Sequence, residues 1–381
     1  MRFLFLLLFI GLKAYGNDFV RVRLVHQPNG HFIITGKIHR LQGLESAYKD
    51  VAIPQNQELN LRYEGRWVAE GFKKFPLVIN KDHLIIEGSE ISVNGKRTPD
   101  KIIIATDKGA FDLIGVIPME TYVVGVVAHE MPNGWPLETL KAQAIAARSY
   151  AVAVRNERKN KTFHLESTIL DQVYATLSED ELKLRYGKVL EAVKQTEGYV
   201  LLNSKQKVLK AYYHADCGGQ TASAKDVWNT KDELVSVTDE SCPQNPKAQW
   251  NLRMEDTEIA GKLKSFAPPG GKKIVSLTAV PQGDSPRISS VEVEWDKGTK
   301  TTISAQNFRE AIGFFELKST QFKLQQEGTA WKFEGLGFGH GVGLCQWGSR
   351  ALGKQGADAK SILHHYYPMA QLKVFRNLKM L

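Results

Sequence analysis

Between Val116 and Arg158 the sequence holds two successive segments patterned for helices, set within a chain that otherwise alternates like β-structure. Pro118 suits the first helical position, and Tyr122, Val123, Val126 and Val127 then recur at helical spacing until Met131-Pro132-Asn133-Gly134 stops the pattern. A second helix is predicted from Pro136 to Arg158, with Leu140, Ala144, Ala147, Tyr150, Ala151 and Val154 on one face. Its alanines let neighbouring backbone approach closely. Before this region, Val20–Val25 alternates with period two. His31–Gly36 follows Asn29-Gly30, a hairpin signal. Leu77–Ile79, Leu84–Ile86, Ile91–Val93, Ile102–Ala105 and Phe111–Ile114 read as further short strands, which suggests a small sandwich or barrel. After Thr162 strands return at Gly198–Leu202, Val208–His214, Ile274–Val280 and Ser289–Glu294; helices are expected at Ala305–Ile312, Gln346–Lys354 and Ala359–Tyr366. The expected class is α+β: a helical segment packed on a β-rich domain over residues 116–375, with a small β-rich region at 17–115.

A chain of 381 residues, 43% hydrophobic and 24% charged, is neither disordered nor a small disulfide scaffold. Its formal charge of +9 favours an anionic partner such as acidic lipid, nucleic acid or acidic wall polymer. Arg2, an apolar run from Phe3 to Leu12, and Ala14-Tyr15-Gly16 read as a signal peptide cut after Gly16. The run is too short to span a bilayer, which needs roughly 20 residues. Ala110–His129, broken by Asp112, Pro118 and Glu120, reads as core. The expected location is the periplasm or the exterior, with no membrane span once the leader is removed. Export permits disulfides. Of Cys217, Cys242 and Cys345, the first two are the expected pair, because one long hairpin or loop could join them; sequence alone does not fix connectivity.

Three places could carry chemistry. Glu130 closes an apolar helix, where the helix dipole and partial burial both disfavour the charged carboxylate. A raised pKa suits a general acid. The alternative is a solvated helix-end glutamate. His214 and Cys217 have the spacing of a zinc pair or a nucleophile and base, or of a disulfide cysteine beside a hydrogen-bonded histidine. The run Gly335–Gly343 lacks the Gly-Lys-Ser/Thr ending of a phosphate loop. Its five glycines instead allow unusual backbone angles and close approach of a partner chain. His340, Gln346 and Trp347 could then face one cleft suited to sugar hydroxyls and rings, or the run could be a structural turn over a core tryptophan.

These stretches resemble the SpoIID/LytB family (stage II sporulation protein D). The similarity runs through Ile117–Pro132, Trp135–Ala151, Asp171-Gln172-Val173-Tyr174, Tyr212–Thr221, Lys318-Ser319-Thr320, Gly337–Gly348 and Ile362–Pro368. The resemblance implies a peptidoglycan lytic transglycosylase. Glu130 of Glu130-Met131-Pro132 would be the catalytic acid and base, acting on the bond between N-acetylmuramic acid and N-acetylglucosamine. Gln143, Arg148, Tyr150, Gln172, Tyr174, Tyr213, His214, His340, Gln346 and Trp347 would bind the glycan strand. One carboxyl group suffices if the muramic C6 hydroxyl is the nucleophile. A hydrolase needs a second one, for which Glu120, Asp171 and Asp216 are the candidates, Asp171 first. Some spore-forming members hold zinc through Cys and His just before Gln-Val-Tyr. Here Leu170 and Asp171 stand there, and His164 alone does not restore the site, so no metal or cofactor is expected. Cys345 replaces the serine of the family's Met-Ser-Gln. Two other functions compete: a non-catalytic wall-binding enhancer of an amidase, and a cysteine peptidase or amidase using Cys217 or Cys345 with His214 or His340. No nucleic-acid partner is expected.

Overall fold

The computed structural model describes residues 18–42, 58–70, 77–79, 83–230, 232–242, 245 and 248–375. The expected signal peptide, residues 1–16, lies outside them. The chain divides into two units, the first running through Tyr122 with Asn160–Glu166 and Phe375, the second comprising Val123–Lys159 and Ser167–Val374. Helices and several sheets coexist, which is the α+β class expected.

The first unit is one sheet. Its strands are β1 (Phe19–Gln27), β2 (His31–Gln42), β3 (Leu59–Tyr63), β4 (Trp67–Glu70), β5 (Leu77–Ile79), β6 (His83–Val93), β7 (Lys96–Arg97), β8 (Lys101–Asp107) and β9 (Ala110–Pro118). The order is β10-β1-β9-β8-β6-β2-β3-β4-β5, with β7 on β6, where β10 (Leu165–Glu166) is the one parallel addition, beside β1. Alternation sends Phe32, Ile34, Leu59, Leu61, Trp67, Leu84, Ile86, Ile102 and Ile104 to a common core. Leu84–Ile86 and Ile91–Val93, read as two strands, are one strand. The hairpin expected at Asn29-Gly30 does not form: β1 pairs with β9 and β10, and β2 with β3 and β6. Glycine is needed at position 30 for a different reason. A Cβ there would lie 2.6 Å from Tyr63 Cβ and 2.8 Å from the Phe111 ring. His164 also belongs to this unit, its Nδ1 accepting the Arg21 N–H at 3.1 Å.

The chain passes from the first unit to the second along α1 (Met119–Glu130), which is followed by α2 (Leu137–Glu157). Both fall where the helical patterning places them, and α2 is buried almost throughout, from Thr139 to Val154. On α2 pack α4 (Gly187–Gln195) and β11 (Tyr199–Leu202); α3 (Glu179–Leu184) lies against α4, and β12 (Tyr213–His214) follows. After α5 (Ala224–Trp228) comes an excursion with a core of its own. It holds β13 (Gln249–Glu255), α6 (Asp256–Lys262), β14 (Ile274–Gln282), β15 (Ser285–Trp295), β16 (Lys300–Ser304), α7 (Ala305–Ile312), β17 (Phe322–Glu327) and β18 (Ala330–Leu336). Two three-stranded sheets, β13-β18-β17 and β14-β15-β16, share Trp250, Leu277, Val291, Trp295, Phe308 and Phe333. The chain then returns as β19 (Leu344–Cys345), α8 (Gln346–Lys354), α9 (Ala359–Tyr366) and β20 (Gln371–Val374), the last pairing with β11. No helix among the described residues is long and apolar enough to cross a membrane.

Candidate active site

Glu130 is the last residue of α1, and its side chain is half-buried. Three donors converge on its carboxyl group. Val173 N–H donates to Oε1 at 2.9 Å, Gln346 Nε2 reaches Oε2 at 3.5 Å, and the Tyr213 side chain supplies a third hydrogen bond. Burial is the largest influence and raises the pKa; the three donors, which favour the ionised form, offset it only in part. Gln172 donates to the Tyr213 hydroxyl at 3.0 Å and fixes that ring.

The glycine loop makes this possible. Tyr213 and His214 pair in parallel with Leu344 and Cys345, so two segments far apart in sequence lie side by side. Gly337, Gly339, Gly341 and Gly343 all have positive φ. A Cβ at Gly339 would lie 2.7 Å from His214 Cβ, and one at Gly343 would collide with the Tyr212 carbonyl. The unusual backbone angles expected for this run are present; the close approach they permit is that of the chain's own Tyr212–His214 segment. It delivers Gln346 to Glu130.

The other expected residues divide into distinct clusters. Tyr150 donates to Asp171 Oδ1 at 2.9 Å, and Arg158 bonds Asp171 through both Nη atoms, at 2.7 and 3.2 Å. Tyr150 also packs edge-on to Tyr212, and Tyr212, Trp228, His340 and His214 continue as ring neighbours 4.5–5.9 Å apart. Burial keeps both imidazoles neutral: His214 is pushed down to about 3, and His340 well below the usual histidine range. Trp347 stands edge-on to Trp135 at 5.4 Å, with the Arg350 guanidinium over both rings. Tyr174 is buried, its hydroxyl 3.3 Å from Thr176 Oγ1.

Several expectations need correction. Arg148 is fully buried, and its Nη1 donates to the Tyr199 carbonyl at 3.2 Å, so it braces α2 against β11 and cannot reach a glycan. Gln143 is equally buried, with neither amide atom hydrogen-bonded. Gln172 positions Tyr213 from within the core. His214 is buried, and its Nδ1 is paired to the Val342 carbonyl at 3.1 Å. The Cys217–Cys242 disulfide is not formed: all three cysteines are free and buried, and Cys242 Sγ lies 3.4 Å from Cys345 Sγ. A thiol nucleophile would have to be reachable, and these are not, which sets aside the cysteine peptidase. Sequence reading missed Tyr212 and Trp228. Their half-buried rings carry no spacing signal, because their ring neighbours come from α2, α5 and the returning loop.

With this geometry in view, the comparisons with known proteins are specific. A family described as stage II sporulation protein matches residues 107–202, and a domain of unknown function (DUF8618) matches 204–343. Stage II sporulation protein D of Bacillus subtilis is 30% identical over 273 residues, covering 67% of this chain and 74% of its own length. The chain belongs to the stage II sporulation protein D family. An uncharacterized protein of Brachyspira hyodysenteriae is 28% identical, over 78% of each chain. The amidase enhancer of B. subtilis is 26% identical over 64% of this chain but only 39% of its own length.

One consequence for this family member is directly measurable. The Tyr213 hydrogen bond favours ionised Glu130, so Tyr213→Phe is expected to move the Glu130 titration to higher pH. NMR of the labelled carboxyl carbon would read this; an unchanged or downward titration would remove Tyr213 from the site.

Proposed function

We propose that this protein acts at the cell wall and cleaves peptidoglycan glycan strands between N-acetylmuramic acid and N-acetylglucosamine, with Glu130 as sole general acid and base. The observation that carries the reading is a half-buried carboxyl group with a raised pKa, ringed by donors that stabilise its anion. Glu130 gives its proton to the bridging oxygen as the glycosidic bond breaks. The resulting carboxylate, held by Val173, Tyr213 and Gln346, then takes the proton of the muramic C6 hydroxyl as that oxygen closes on C1. The product is a 1,6-anhydromuramyl end.

The fate of the other carboxylates supports cyclisation over hydrolysis. A retaining hydrolase needs a partner about 5–5.5 Å away and an inverting one a partner at roughly 6.5–9.5 Å. Asp171, the expected partner, is engaged on both oxygens by Arg158 and Tyr150. Asp216 is occupied by Gly218 N–H, Asn245 and Cys242. Glu120 lies in the first turn of α1, at the opposite end from Glu130. The +9 charge suits an acidic wall polymer, and location in the cell envelope follows from the same reading.

Mass spectrometry of muropeptides released from purified sacculi tests the proposal. Anhydromuramyl ends are expected; reducing muramic ends would mean that water attacks. Similarity to an amidase enhancer favours a second reading, a wall-binding partner of an amidase. Intact sacculi after incubation with this protein alone, and faster digestion when an amidase is added, would favour it.

A further inference from the structure

Cys217, Asp239, Cys242 and Cys345 come from three separate segments, and all four are buried. One ligand atom from each lies within 4.8 Å of the others. We propose that these four residues hold a structural zinc ion. The assignment does not depend on the proposed glycan chemistry, and it uses none of the positions preceding Gln172.

The distances fit one tetrahedral ion. A zinc–sulfur bond of about 2.3 Å places two ligand sulfurs about 3.8 Å apart. Cys242 Sγ lies 3.4 Å from Cys345 Sγ, and Cys217 Sγ lies 3.3 Å from Asp239 Oδ2. Three thiolates and one carboxylate select zinc over magnesium or calcium. Four buried protein ligands leave no open position, which marks a structural site and not a catalytic one.

The surroundings point the same way. Asp239 is 1% exposed, and its Oδ1 has no hydrogen-bond partner. An unsatisfied buried carboxylate oxygen is costly, and a cation removes that cost. Tyr366 donates to Oδ2 at 2.7 Å and orients the carboxylate from behind. Cys345 occupies the N-cap of α8, and its sulfur accepts the N–H groups of Gly348 and Cys217, both at 3.3 Å. Three thiolates, one carboxylate and Zn²⁺ sum to −2. Arg287 opposes that charge: it is buried and donates to the Cys217 carbonyl at 2.8 Å. A Cβ on Gly348 would collide with Asp239 Oδ2 and the Tyr366 hydroxyl, so glycine keeps the cradle open. On metal uptake the three thiols release their protons to solvent.

The ion would tie the segment after β12, the Asp239–Cys242 turn and the start of α8 together, directly beside Gln346 and its bond to Glu130. The full chain, purified without chelator, is expected to carry about one zinc per molecule by inductively coupled plasma mass spectrometry. After exchange with Co²⁺ it should show a thiolate charge-transfer band and tetrahedral d–d bands. Tyr366→Phe keeps every ligand and is expected to weaken zinc binding roughly 10–100-fold. Cys242→Ser should abolish the metal. If the wild-type chain, supplied with zinc, holds none and shows no cobalt–thiolate band, the assignment fails. A Cys242–Cys345 disulfide in the purified protein would also overturn it, as would full zinc occupancy in Cys242→Ser.

Discussion

Glu130→Gln is expected to lower glycan-strand cleavage by roughly 10²–10⁴-fold, the usual contribution of a positioned proton donor. Glutamine keeps the shape of the side chain but has no proton of the right acidity to give. The variant should nevertheless fold, and the pH dependence of stability provides the control. Burial raises the folded-state pKa of Glu130 above its unfolded value. The stability this carboxyl group contributes is therefore fully present below the ordinary carboxylate range and is lost as pH rises through the raised pKa. Glutamine cannot ionise. The variant should thus match the wild type in acid and exceed it increasingly toward neutral pH in thermal melts. Full activity in Glu130→Gln would refute the mechanism, whereas loss of activity together with loss of fold would show a structural role.

The second large effect concerns Asp171. Its side chain is 2% exposed and is neutralised by Arg158, itself 34% exposed. Removing one partner of a buried pair strands the other charge, at a typical cost of 3–5 kcal/mol. The partial exposure of Arg158 places Arg158→Met toward the lower end, about 3 kcal/mol. Six of the seven tryptophans lie in the second unit, so denaturant unfolding followed by tryptophan fluorescence reports on this change. Adding Asp171→Asn to Arg158→Met removes the stranded charge and should recover more than half of the loss. A midpoint for Arg158→Met indistinguishable from wild type would show that solvent already screens the pair. Because Asp171 precedes the Gln172-Val173 segment that serves Tyr213 and Glu130, the single variant should also lose activity, and the double variant should regain part of it.

Much of this was legible in the sequence because the signals are local. Apolar spacing places α1 and α2, and α7, α8 and α9 fall on Ala305–Ile312, Gln346–Lys354 and Ala359–Tyr366 as read. Glu130 is conspicuous because it ends an apolar helix immediately before Met131-Pro132. What was not legible depends on partners remote along the chain. Asn29-Gly30 looks like a hairpin, yet Tyr63 and Phe111 are what demand the glycine. Arg148 and Gln143 look like polar ligands, but only packing reveals that α2 is buried on nearly every side. Cys345 meets Cys217 across 128 residues through the β12–β19 pairing, and Asp239 has no local feature that marks it. Loop length suggests a Cys217–Cys242 bridge, whereas the fold gathers all three thiols, free, with Asp239.

The excursion from β13 to β18 leaves and re-enters through adjacent residues, with Gly337 N–H bonded to the Ala248 carbonyl at 2.8 Å. Anything threaded through a single doorway can be remodelled at its far side without rewiring the room. The β15–β16 turn, Lys297-Gly298, is exposed and hydrogen-bonds within the excursion, so extra residues grafted there should be tolerated. The threshold is different: Gln282 reaches Asp226 of α5, and Arg287 reaches the Cys217 carbonyl. Evolution, or an engineer fusing a new targeting module to this scaffold, has latitude at the tip and almost none at the root.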